Sequence, residues 1–322
     1  MLKNLKMSLK MTFGFGTVIL LVALVGVLAV VNMIQVQGEA QLLNDEYVPE
    51  VTIATDLERN SLLVMYNARG YGLTGDEAFL TEARDYLEGV KTSLEEAANL
   101  AARATALKVL GSQVETASNA VDQYEVALNE TVQVQRGIDE IRGEMDASAG
   151  RFVEQAAAYL DPMNRSLVEE VREDASEAAL LERHQKITLA NDIIDNGNAV
   201  RVANFKSQAT GDEQFVSAAL TRFDTIEELV SGLRRITYLE ADLAALTEVE
   251  NAADAYQAAI SSYIESSNRL DELGAQRDTL AQDVLDAAQA TASAGIQETQ
   301  TIARSAVDRV TTAVTAVVTG RI

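Results

Sequence analysis

Thr74-Gly75-Asp76-Glu77-Ala78-Phe79 occurs twice in this chain, returning as Thr210-Gly211-Asp212-Glu213-Gln214-Phe215 at an offset of 136 positions (74 to 210). A second echo follows each copy. Asp122-x-Tyr124 with Ile138-Asp139-Glu140-Ile141 reappears as Asp254-x-Tyr256 with Leu270-Asp271-Glu272-Leu273, at an offset of 132 (122 to 254). Two ordered matches at nearly one offset read as an internal duplication, and a repeat of this kind outranks local signals in deciding a fold. Each Thr-Gly-Asp-Glu is a helix break. Gly lets the chain leave one helix, while Thr or Asp caps the next and leaves an acidic residue in its first turn.

The 322 residues are 48% hydrophobic with only two prolines, and the abundance of Ala, Val, Leu, Glu and Gln is a helical composition. The absence of Cys removes disulfides, thiolate metal sites and cysteine nucleophiles together. A net charge of -23 argues against a nucleic-acid surface, because nothing here displaces counterions from phosphate.

Lys3, Lys6 and Lys10 precede an apolar run from Phe13 to Val31 whose only polar member is Thr17. That predicts a membrane span, with residues 1–10 as a cytoplasmic basic leader, 11–36 as the transmembrane helix and the remainder outside the cytoplasm. The run is long for a cleaved signal peptide, and no good Ala-x-Ala site follows it. Helix one is expected from about Glu39 to Leu73 with a stripe at Leu57, Ser61, Val64, Ala68 and Tyr71, and Pro49 is tolerated near a first turn or as a kink. Helix two is expected from Asp76 to about Leu110, ended by Gly111. Helix three holds heptad spacing from Val114 through Tyr124, Thr131, Gln135, Ile138 and Phe152 to Tyr159; Asp161-Pro162 either ends it or, as the helix lengths favour, kinks it on the way to about Arg172. Asp174-x-x-Glu177 is a capping-box pattern for helix four, about 177–209. Helix five follows at about 212–246, and helix six from near Glu248 to the end.

Both copies read short, short, long. The expected fold is all-α: the transmembrane helix, then two stacked four-helix bundles sharing two long helices. The proximal bundle would take about 40–146 plus 283–310, and the distal bundle about 147–282.

Glu46-Tyr47-Val48-Pro49, the Ala68-Arg69-Gly70-Tyr71-Gly72-Leu73-Thr74-Gly75-Asp76-Glu77 turn, one span and a duplicated helical region together resemble the helical bimodular sensor domain of bacterial methyl-accepting chemotaxis proteins and some sensor kinases. The resemblance implies a periplasmic homodimer in the inner membrane. It also implies an organic acid or amino acid bound between helices, and signalling to cytoplasmic partners. The chain departs from that pattern after Thr311, where residues 311–322 read as the start of a second membrane-proximal segment with no second span or methylatable hairpin. The rival readings are a sensor-kinase input domain, or a membrane-anchored helical stalk that recognises another protein's helices.

Catalysis finds no support: there is one His, and no HExxH, P-loop or GxSxG pattern, so neither enzyme activity nor a cofactor or metal is expected. Polar residues inside apolar stripes are more informative, since burial costs free energy unless something pairs them. On helix four, His184, Ile187, Asn191, Ile194, Asn198, Arg201, Phe205 and Gln208 share one stripe. Asn191, Asn198 and Arg201 with Tyr256 and Tyr263 of helix six would suit a carboxylate, the guanidinium holding both oxygens. In the proximal bundle, Arg59 and Asn60 are expected to face Thr131 and Gln135 of helix three and Gln297, Gln300 and Thr301 of helix six, with Arg304 nearby.

Overall fold

A computed structural model describes residues 7–319; the leader lysines Lys3 and Lys6 and the last residues, Gly320 to Ile322, lie outside the described residues. Eight α-helices and no strand occur among the described residues. They are α1 (Met7–Leu42), α2 (Val48–Thr74), α3 (Glu77–Arg103), α4 (Leu110–Arg172), α5 (Glu177–Thr210), α6 (Gln214–Ala219), α7 (Thr221–Arg235) and α8 (Glu240–Thr319). α1 is the helix long and apolar enough to cross a membrane, and its side chains from Phe13 to Val31 are largely exposed. It passes into α2 through a π-helical turn, Leu43–Tyr47, so the missing N–H of Pro49 falls beside a segment already out of α-helical register.

The two repeated turns fold alike. Gly75 and Gly211 take left-handed backbones, φ 70° and 71°, and donate N–H bonds of 2.8 Å to the Tyr71 and Ser207 carbonyls. Asp76 N–H then donates to Thr74 Oγ1 at 3.2 Å, and Asp212 N–H to Thr210 Oγ1 at 3.3 Å. The aspartates accept from Ala78 N at 2.9 Å and Gln214 N at 3.0 Å.

The chain divides into two compact units. Unit 1 takes the chain up to Leu128 and again from Gln276; unit 2 is Asn129–Ala275. In unit 1 the stripe Ala54, Leu57, Ser61, Val64, Ala68 and Tyr71 of α2 is buried. At one level it meets Leu87 and Val90 of α3, Val121 and Tyr124 of α4, and Ala281 and Val284 of α8 around a cavity of ≈ 20 Å³. Unit 2 has a core of Met145, Phe152 and Tyr159 from α4, Ile193 and Val200 from α5, Phe223, Val230 and Leu233 from α7, and Tyr256, Ile260 and Tyr263 from α8. The heptad residues of α4 from Ala117 to Tyr159 are buried except Arg142, which is half-buried.

The duplication also relates side chains that differ. Ser61 and Val284 line the small cavity in unit 1; at the two offsets their counterparts in unit 2 are Gly197 and Phe152. There the aromatic ring lies against the glycine, and a Cβ at Gly197 would overlap it. A large–none pair replaces a medium–small pair, and interior density is kept in both.

Four sequence boundaries need correction. α3 stops at Arg103, and Gly111 lies in the first turn of α4. The buried side chains of Ala104, Leu107 and Leu110 draw the intervening turn onto Tyr47. α5 is capped by Ser176, whose Oγ accepts from Ala179 N at 3.3 Å; Asp174 is instead left-handed, φ 53°, at the end of α4. The helix expected over 212–246 breaks at Leu220 and ends at Arg235, and α8 begins at Glu240. No Gly or Pro marks that turn; β-branched Ile236 and Thr237 have low helix propensity, and Thr237 Oγ1 donates to the Leu233 carbonyl at 2.7 Å.

Because the two repeated turns have matching bonds, Asp76→Ala and Asp212→Ala should each cost about 1 kcal/mol. Hydrogen exchange of the amides in the following first turn is expected to accelerate about fivefold in both variants.

Candidate functional site

The polar groups buried in unit 2 sit one residue round the helix from the stripe the sequence suggested. α5 buries Lys186, Ala190, Ile193, Gly197, Val200, Asn204 and Ser207. His184, Asn191, Asn198 and Arg201 are consequently exposed; Asn191 Nδ2 donates to its own helix at the Ile187 carbonyl, 2.9 Å away. Adjacent residues on a helix are about 100° apart, so a one-residue error turns a core face into a flank. Bulky Ile187, Ile194 and Phe205 drew the stripe to the wrong side. The true face uses Ala, Gly and Ser so that α5 can approach closely.

Asn204 and Ser207, one turn apart, are both 0% exposed, and so is Tyr256 of α8. Asn204 Nδ2, Ser207 Oγ and Tyr256 Oη have no hydrogen-bond partner within the chain. Asn204 Oδ1 is engaged, accepting from Gln208 Nε2 at 2.9 Å. Burial pushes the Tyr256 hydroxyl up to about 12, while the Arg201 guanidinium and contact with Asn204 pull the other way. The Asn204 side chain is thus close enough to act on the hydroxyl, although neither Asn204 Nδ2 nor Tyr256 Oη makes a well-formed hydrogen bond. The Phe223 ring meets Tyr256 edge-on at 5.6 Å between centroids and 83° between planes, closing the apolar side. Arg201 itself stacks over Phe205, 5.6 Å from the ring centroid. Asn204 Nδ2 can only donate and the two hydroxyls can donate or accept, so an acceptor placed among them can be met by all three.

Tyr263, the other aromatic of the expected distal set, is buried beneath the Arg142 guanidinium, which lies 5.9 Å from its ring centroid. The expected proximal set is not brought together as a group. Arg59 is exposed, because its helix faces the core with Leu57 and Ser61, each two residues away. Asn60 is half-buried over Gly89 of α3. The part of α8 level with them is Ala281 to Ala288, not Gln297 to Thr301. Gln297, Gln300 and Thr301 are exposed; Thr301 and Arg304 line an open groove of ≈ 500 Å³ with Asn32, Ser305, Asp308 and Arg309. Thr131 and Gln135 are buried, but they belong to unit 2, where Gln135 Oε1 has no partner.

Among the described residues, three buried charged residues, Glu50, Lys186 and Arg277, were absent from the sequence-derived set. Arg277, 4% exposed, donates from Nη1 to the Ala68 carbonyl at 3.2 Å, and burial lowers its pKa. Tyr124 stands beside it, its hydroxyl pushed up to about 12 by burial against the opposing pull of Arg277. The counterparts of Ala68, Tyr71, Tyr124 and Arg277 in unit 2 are Asn204, Ser207, Tyr256 and Met145. The same layer is polar in both units, but the polar group has moved from α8 to α5. Asn204 and Ser207 were available to sequence reasoning: carrying the α2 stripe forward by 136 positions lands on Ile193, Gly197, Val200, Asn204 and Ser207.

Neither a known protein family nor a curated protein matches this chain when the sequence is compared with them.

Tyr256→Phe removes a buried hydroxyl that makes no bond, so in the ligand-free chain it should leave stability unchanged or raise it by about 1 kcal/mol. Denaturant unfolding followed by circular dichroism measures this.

Proposed function

We propose that the chain is the ligand-sensing region of a membrane-anchored receptor of the methyl-accepting chemotaxis type, held by α1 with everything after it outside the cytoplasm. A small carboxylate, an organic acid or an amino acid, seats between α5 and α8 in unit 2. Asn204 Nδ2, Ser207 Oγ and Tyr256 Oη donate to its oxygens, and Arg201 lends positive charge. The observation that carries this reading is the set of three unpaired donors in the apolar core. A buried donor without a partner costs about 1–3 kcal/mol, a cost that a guest acceptor removes.

The finer architecture, two stacked four-helix bundles sharing α4 and α8 as a homodimer, belongs to the same proposal, as does transmission to cytoplasmic partners. Binding signals only through a difference in affinity between two helix packings, and a shift of about 1–2 Å in a long helix is enough. The long, uninterrupted α4 and α8 suit that role.

A second reading, an anchored stalk that meets another protein's helices, is favoured by Leu62, Tyr66 and Leu73. These residues are exposed on α2 at 49%, 66% and 87%.

Calorimetry of the full chain in lipid nanodiscs against a panel of organic and amino acids should find a carboxylate ligand. Asn204→Leu and Tyr256→Phe should each weaken it tenfold or more, since a hydrogen bond to a charged group is worth about 1.5–3 kcal/mol. Arg59→Ala should leave it unchanged. A panel without binders, or unaltered affinity in both core variants, would point to the stalk.

A further inference from the structure

Glu50 lies in the first turn of α2, 2% exposed, and its Oε2 has no hydrogen-bond partner. The carboxyl lies against Gly295 of α8. A Cβ on that glycine would come within 2.7 Å of Oε2 and 2.8 Å of Val51 Cγ2. Helix starts usually stabilise a carboxylate through free N–H groups. Here α2 continues from α1 through the π turn, and Val48 N–H already bonds the Leu43 carbonyl.

Three carboxylates act on the Tyr47 hydroxyl in this region, Glu298, Glu50 and Glu46. Glu46 and Tyr47 come from the same segment as Glu50, and Glu298 stands one turn beyond Gly295 on α8. Burial and these three carboxylates together raise the Tyr47 pKa. The α3 and α3–α4 surface over Tyr47 is apolar, made of Ala97, Leu100, Ala104 and Leu107. Glu46 Oε2 is occupied by Ala106 N–H at 3.2 Å. No cation counts among the influences on Glu50: burial alone raises its pKa, from 4.5 to about 7.

We infer that unit 1 contains a proton-operated latch, in which the neutral acid of Glu50 seats α2 against α8 at Gly295 and its ionised form parts them. The protein thereby responds to the acidity of the medium bathing unit 1, independently of the Asn204 site. The direction follows from linkage. The folded chain holds this proton more tightly than an unfolded chain does, so the contact is firmest below about 4.5 and loosens as pH rises through about 7. Above that range a buried carboxylate without a counter-charge has two remedies, water or separation of the helices, and both open the Gly295 contact.

The chain has no cysteine, so a single introduced pair reads the contact cleanly. Spin labels at Thr55→Cys and Ser293→Cys, both exposed, report the separation of α2 and α8 in the full chain in nanodiscs without added ligand. Between pH 5.5 and 8.5 the distance distribution should move outward and broaden. Glu50→Gln should hold the low-pH distribution at both values. Gly295→Ala, which crowds the seat, should give the high-pH distribution at both. Tyr256→Phe should behave as the unaltered chain, which separates this latch from the ligand site.

An unaltered chain whose distribution ignores pH, or a Glu50→Gln chain that shifts as the unaltered one does, overturns the inference. An infrared titration of the Glu50 carboxyl in the unsubstituted sequence supports it with a midpoint near 7 and overturns it with a midpoint below 5.5.

Discussion

Two left-handed glycines govern the helix hairpins of this protein. At φ near 70° an L side chain is strained by roughly 1–2 kcal/mol, so Gly75 and Gly211 hold positions that other residues occupy only at a cost. Each reverses the chain within three residues, and the aspartate that follows it accepts from the backbone N–H two positions on. Once the exit is set, the rotational phase of the incoming helix is set too, because Tyr71 and Ser207 must offer their carbonyls to the glycine N–H. Which residues of α2 and α5 meet the interior is thus decided at the turns, several helical turns away from the groups themselves.

This explains what was legible in the sequence. Helix class, the α4 heptad and the α2 stripe were readable because bulky residues repeat at three and four along one face. The α5 face was not, because only Ile193 and Val200 on it are bulky and apolar, whereas Ala190, Gly197 and Ser207 carry little hydrophobic signal. The repeat held that information in another form: α2 and α5 leave through the same turn and share a phase. Arg59 was misjudged for a related reason. The apolar run Leu62 to Met65 surrounds the helix and hides its orientation, whereas the turn at Gly75 does not. The end of α7 at Arg235 had no glycine or proline to announce it, only a pair of β-branched residues. Glu50 could not be picked out, since burial of a single charged residue is a tertiary fact, whereas Arg277 lies on the helix-six heptad and its position was readable.

The two units handle the same polar layer differently. In unit 1 a guanidinium reaches across from α8 to a backbone carbonyl of α2, so its polarity is met by the chain itself. In unit 2 the corresponding α8-to-α4 exchange leaves Met145 in that place, and an amide and two hydroxyls face the core from α5 and α8 with bonds to spare. Of the two repeated layers, one has its polar group met by the chain, and the other keeps an amide and two hydroxyls without partners.

The exchange of Ser61 and Val284 for Gly197 and Phe152 bears on how such copies diverge. A sequence moving from the first pairing to the second has one passable order. Trimming serine to glycine opens only a small hole, which a packed interior tolerates; installing the ring while the serine remains forces a collision. The vacated space must come before its occupant, so any path from the first pairing to the second passes through the smaller residue.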